Sequence, residues 1–236
     1  MPDQVRHDSR FAHDDSHFSP RMTAVLPMKK FIFAAIVATS LAAQAAGLDS
    51  LENFVKSAKS GRADFTQVVT SPSRDGQAPR AKTSTGTFEF SRPNRFRFNY
   101  KKPFEQAIVA DGQTLWLYDV DLNQVTSRKQ AQALGSTPAA LIASAADLGA
   151  LRKDFDLADV PDKDGLQWVQ ATPKVKDGQL TSVKAGFKGN ELAALEILDS
   201  FGQRSVMTFA NMQLNGPSSP GVFEFKPPQG AAVVRQ

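Results

Sequence analysis

From Ala63 onward the chain is patterned with a period of two. Asp64-Phe65-Thr66-Gln67-Val68-Val69-Thr70 is a β-rich run, closed by Ser71-Pro72-Ser73 and a polar loop through Gln77. In Gly86-Thr87-Phe88-Glu89-Phe90 the two phenylalanines share a face, and Ser91-Arg92-Pro93-Asn94 is a turn. Arg95 to Tyr100 then alternates sharply, with Phe96, Phe98 and Tyr100 on one side and Arg95, Arg97 and Asn99 on the other. The pattern predicts a hairpin whose inner face carries five aromatics. A second hairpin, Ala107–Ala110 with Thr114–Tyr118, turns at Asp111-Gly112. Further strands are expected over Gln124–Arg128, Gly165–Ala171, Leu180–Lys188, Glu191–Asp199, Arg204–Asn211 and Val222–Lys226.

Two segments break this rhythm. Asp49 to Lys59 repeats Leu51, Val55 and Ala58 at helical spacing. Asp49 and Glu52 resemble a capping box, and Gly61 is expected to end the helix. Between Lys129 and Leu151, Thr137-Pro138 reads as a cap followed by proline at the first helical position, and Ala139–Ala146 as a short, almost wholly apolar helix. Roughly ten or eleven strands with two helical insertions predict a mainly β protein, one antiparallel sheet curved toward a barrel.

Composition changes the picture once the first residues are set aside. Met28-Lys29-Lys30, the apolar run Phe31–Ala43 and Ala43-Gln44-Ala45 match a secretory signal peptide cleaved after Ala45. The run is shorter than the roughly 20 residues that span a bilayer. Residues 1–27 are expected to be an upstream mis-start or an extended n-region, residues 28–45 the signal peptide and residues 46–236 one folded domain. All three His precede Met28 and the chain has no Cys, so the mature part has neither. From residue 46 it carries 23 Lys and Arg against 20 Asp and Glu, a net charge of +3, which is no nucleic-acid footprint.

Without His or Cys there is no Ser-His-Asp triad, no Cys nucleophile and no zinc site of the usual ligands. Five Asp between Asp154 and Asp164 invite a calcium reading. An EF-hand loop starting at Asp154 nevertheless fails, with Ala158 at its fifth position and Asp159 at its sixth, so a solvated turn is expected. No phosphate loop or nucleophile elbow occurs. Neither a metal, a cofactor nor catalysis is expected. The aromatic face of the first hairpin remains. It reads as packed core or as the wall of a pocket for an apolar ligand, closed by small helices.

The runs Ala63–Gln67, Gly86–Tyr100 with Arg92-Pro93-Asn94, Ala110–Tyr118, Thr137-Pro138 with Leu141-Ile142-Ala143, and Phe225–Gly230 resemble, in order, the periplasmic outer-membrane lipoprotein carriers, the LolA family. The resemblance implies an incomplete antiparallel β-barrel of about eleven strands with a helical lid over a hydrophobic cavity. It implies that Val55, Phe65, Phe88, Phe90, Phe96, Phe98, Tyr100 and Trp116 line that cavity for acyl chains. It also implies that Arg92 latches the lid through the backbone of Leu141, Ile142 and Ala143. The expected partners are acylated lipoproteins, an inner-membrane ABC-type releasing complex and an outer-membrane receptor, for a monomer in the periplasm. Since the receptor carries a lipidated Cys, the missing Cys selects the carrier. A carrier or sensor of another lipid or glycolipid on the same scaffold is the alternative.

Overall fold

In the computed structural model the described residues are 46–73, 78–134, 140–176 and 178–236. The expected signal peptide, the segment before it, the end of the loop through Gln77, and Thr137, Pro138 and Ala139 lie outside them. Helix α1 (Ala46–Ser57) leads into β1 (Ser60–Ser71), β2 (Arg80–Ser91), β3 (Arg95–Lys102), β4 (Gln106–Asp111), β5 (Thr114–Asp119) and β6 (Gln124–Lys129). Then come α2 (Gln130–Leu134), one π-helical turn (Ala140–Ser144) and α3 (Leu148–Asp154). Strands β7 (Phe155–Lys163), β8 (Leu166–Pro173), β9 (Leu180–Lys188), β10 (Glu191–Asp199), β11 (Arg204–Leu214) and β12 (Ala232–Arg235) follow.

The twelve strands form one sheet in the order β12-β6-β5-β4-β3-β2-β1-β11-β10-β9-β8-β7. Neighbours are antiparallel except β12, which runs parallel to β6. The two edges, β12 and β7, are not joined, so the barrel is incomplete, as the family resemblance implies. The helices lie on one face. Leu51, Phe54, Val55 and Ala58 recur at helical spacing and are buried, which seats α1 on β7–β10. The π-helical turn packs on β2 and β3.

Several expected boundaries move. Helix α1 begins at Ala46, so Asp49 sits in its first turn rather than capping it, and Gly61 lies inside β1. A side chain at position 61 would meet the Phe90 ring 2.4 Å away, so glycine is there for the close approach of that ring. Most of the Asp-rich stretch is the edge strand β7, not a turn: Asp156 and Asp162 are exposed to water, while Asp159 is half-buried and accepts the Leu48 N–H of α1 at 2.8 Å. Val222–Lys226 forms turns and extended chain instead of a strand, and β12 supplies the late strand.

Candidate functional site

The register confirms which residues of the first hairpin share a face. Phe88 pairs with Phe98, Phe90 with Phe96 and Gly86 with Tyr100. On the other side of β2, Phe88 pairs with Ala63 and Gly86 with Phe65. Directly paired residues of antiparallel strands point the same way, so these rings form one patch on the inner face. Phe88 and Phe98 stack at 4.4 Å between centroids, Phe65 meets Tyr100 edge-on at 5.0 Å, and Phe54 of α1 reaches Phe90 at 6.0 Å. Val55 is wholly buried beside them. Burial pushes the Tyr100 hydroxyl up to about 12, because the ionised form would lose its water.

The patch is covered by the chain's own lid. Leu141, Ile142, Ala143 and Ala145 are buried in the same continuous core as Phe88, Phe90, Phe96 and Phe98. Of the two open readings of the aromatic face, packed core is the one seen here. A five-residue π-helical turn with its flank supplies part of that packing, beside Phe54 of α1.

What holds that segment is polar. Arg92 donates from Nε to the Ala58 carbonyl at 2.8 Å and from Nη1 to the Ala145 carbonyl at 2.9 Å. Its backbone N–H donates to the Lys59 carbonyl. The guanidinium lies 5.5 Å from both the Phe54 and Phe90 ring centroids. One side chain thus ties the end of α1, the β2–β3 turn and the lid together. The expected partners Leu141, Ile142 and Ala143 need correction. The guanidinium reaches two residues further, to Ala145, since the Ala143 carbonyl already accepts the Asn94 N–H at 2.9 Å. Burial lowers the Arg92 pKa to about 10, which leaves it charged at neutral pH. Its Nη2 is buried without an acceptor among the described residues.

Gln130 completes this end. Its Nε2 donates to the Asn94 carbonyl at 2.5 Å, its Oε1 accepts from the Gly112 N–H at 2.9 Å, and its own N–H donates to the Gln113 carbonyl at 2.8 Å. Asp111 caps the neighbouring turn, accepting from the Gln113 and Thr114 N–H groups and from Trp116 Nε1. Burial works to raise the Asp111 carboxyl, but these hydrogen bonds outweigh it and hold the carboxyl below its usual range.

Trp116 corrects a second expectation. It pairs with Val109 and Ser127, and Val109 with Arg97, so it lies on the outer face, opposite the aromatic patch. There it packs on Phe225 at 5.5 Å, and Tyr118 packs on the same ring at 6.0 Å. Arg97 Nη1 donates to the Val222 carbonyl. The segment after β11 therefore seals the outer face of β3–β6, and Trp116 serves that seal. Sequence reasoning missed Phe54, Asn94, Ala145 and Gln130. Only Phe54 could have been found, since it fills the remaining position of the 51–55–58 helical stripe. Among the described residues no three His, Cys, Asp or Glu side chains converge as a metal site requires.

Comparison with known proteins gives the following. A family model described as outer membrane lipoprotein carrier protein LolA matches residues 56–226. An outer-membrane lipoprotein carrier protein from Albidiferax ferrireducens is 68% identical over 89% of this chain and 100% of its own length. One from Methylibium petroleiphilum is 54% identical over 86% of this chain and 96% of its own. Among solved structures, a LolA-superfamily protein from Nitrosomonas europaea is 14% identical, covers 77% of this chain and 98% of its own, and aligns with a TM-score of 0.43.

Proposed function

The chain belongs to the outer-membrane lipoprotein carrier family, LolA, and from that membership we propose that it is a periplasmic chaperone for acylated lipoproteins. It takes up acyl chains of lipoproteins released from the inner membrane by an ABC-type complex and passes them to an outer-membrane receptor. It works as a carrier and performs no reaction. The observation that carries this reading is the lid, a small apolar segment buried on an aromatic wall and fastened by the Arg92 guanidinium and the Asn94 N–H.

Physical chemistry requires such a device. Each methylene kept from water is worth about 0.8 kcal/mol, so an acylated protein does not cross an aqueous space unshielded. The carrier must shield the chains and still release them. A lid that fills the interior when empty does both. Acyl chains replace Leu141, Ile142, Ala143 and Ala145 against Val55, Phe65, Phe88, Phe90, Phe96, Phe98 and Tyr100, exchanging one apolar contact for another. The difference between closed and loaded states is then small and set by Arg92. Its charge-assisted bond to the Ala145 carbonyl favours closure by on the order of 2 kcal/mol, while its buried Nη2, without an acceptor among the described residues, takes back part of this. A closed state preferred by so little is one that cargo can open and that reforms on release.

Arg92→Leu tests the reading. It removes the bonds to Ala58 and Ala145 yet leaves an apolar side chain between Phe54 and Phe90. The expected result is a folded protein that still takes a lipoprotein from spheroplasts but hands it to the receptor at least about tenfold more slowly, because closure no longer helps expel the cargo. Transfer at the unchanged rate contradicts the latch.

A further inference from the structure

The inner face changes character along the strands. Away from Arg92, Phe65 of β1 is followed on the same face by Gln67, Phe88 of β2 by Gly86, Ser84 and Lys82, Ile108 of β4 by Gln106, and Leu117 of β5 by Asp119. The cross-strand pairs Gln67–Ser84, Tyr100–Gln106 and Gln106–Asp119 put these polar groups side by side. Where they begin, a cleft of about 510 Å³ opens. Its outer wall is made by the β3–β4 and β5–β6 turns, joined by the Val120 N–H donating to the Glu105 carbonyl at 3.2 Å. These turns carry Phe104 and Leu122, which are 58% and 70% exposed. Lys82 Nζ lies 4.6 Å from the Phe104 ring centroid. Tyr100 belongs both to the aromatic patch and to the cleft, so the cleft borders the patch.

We propose that this cleft is the subsite for the polar part of the cargo: the glyceryl ester groups and the first peptide units beside the acylated residue. The proposal rests on the carrier reading above. An amphiphile whose chains lie against Phe88 and Phe98 places its polar end most favourably where the inner face itself turns polar. The Arg92 end is closed by Arg92, Asn94 and Gln130, whereas the opposite end offers donors and acceptors at the depth where the apolar wall stops. The amides of Gln67 and Gln106, the Ser84 hydroxyl and the Lys82 ammonium can donate to ester and amide carbonyls. The carboxylates of Glu105 and Asp119 can accept from peptide N–H groups.

The test uses a synthetic diacylglyceryl-cysteinyl hexapeptide, the same peptide without acyl chains, and full-length protein carrying a photo-crosslinking side chain in place of Lys82, Gln106 or, at the Arg92 end, Gln113. The acylated peptide is expected to crosslink through its peptide portion at positions 82 and 106, at least about tenfold more than at 113, and the peptide without chains at none of them. Crosslinks concentrated at 113, or equal at both ends, overturn the placement while leaving the carrier reading intact. Failure of the acylated peptide to bind any variant, or the unmodified protein, overturns both. A second measurement guards against disturbed folding. Gln106→Leu combined with Ser84→Leu should weaken the acylated peptide about tenfold, the loss of a hydrogen bond or two, yet leave binding of an apolar dye to the interior unchanged. Equal weakening of dye and peptide would mean that these residues shape the interior and do not read the polar end.

Discussion

At the Arg92 end of the sheet the turns are stitched together: Arg92 spans α1 and the lid, Asn94 meets Ala143, and Gln130 holds both Asn94 and Gly112. At the opposite end the turns project Phe104 and Leu122 into water above an open cleft. The same strands run between the two, so the difference is not one of sheet architecture. It comes from which side chains each turn supplies. Where a buried donor meets a carbonyl of another element, the end closes; where the inner face runs out of aromatics, it stays open. A carrier gains from this asymmetry, because a lid can be fastened at one end while the contents are reached from the other.

The sharpest way to break the contrast is at the boundary between the two halves. A Cβ at Gly86 would stand 2.0 Å from the Asn99 carbonyl oxygen and 2.8 Å from the Phe65 ring. Gly86→Ala should therefore destabilise both ends together by more than about 4 kcal/mol, read as a lost or strongly shifted urea transition. Gln130→Ala strikes only the closed end. It leaves the Asn94 carbonyl and the Gly112 N–H without their partner and should cost about 1–3 kcal/mol in the same measurement. Gln130 has no contact with the cleft residues in its hydrogen bonding, so dye access from the open end should not change.

The smallest effect concerns the open end and is seen only in alkali. The folded protein keeps the Tyr100 proton up to about pH 12, whereas an unfolded tyrosine releases it near 10. Between these values the unfolded chain binds fewer protons, so stability falls as pH rises. Arg92, whose folded pKa is lowered, acts in the opposite direction in the same range, and comparison with a variant separates the two. Tyr100→Phe should remove the loss and make the variant increasingly more stable than the parent from pH 10 upward. Parallel stability curves for the two would contradict the raised Tyr100 pKa.

How much of this the sequence discloses depends on whether one element decides the matter or two. The pairing of Phe88 and Phe90 with Phe98 and Phe96 is legible because alternation and one short turn fix it. Alternation in Thr114–Tyr118 separates Trp116 from Leu115 and Leu117 equally well, but says nothing of which face is inner. That was decided by Phe225, more than a hundred residues later. Arg92 stands out as a cation in a turn, yet its acceptor depends on the π-helical register of the lid, which no periodicity signals. Strand β7 was obscured for a related reason: its apolar alternation lasts only through Phe155 and Leu157 before Asp159 takes the next inward position, so its Asp residues read as a turn. β12 is only four exposed residues, held by its parallel ladder with β6.

The central claim is that the lid leaves the aromatic wall when acyl chains arrive. The Asn94 N–H reports this directly, since its acceptor is the Ala143 carbonyl of the lid. Amide hydrogen exchange at Asn94, measured on the empty protein and on protein loaded with a diacylglyceryl peptide, should show protection when empty and its loss on loading, while the amides of β2 and β3 around Phe88 and Phe98 stay protected. Protection of Asn94 that is unchanged by bound cargo would contradict the account.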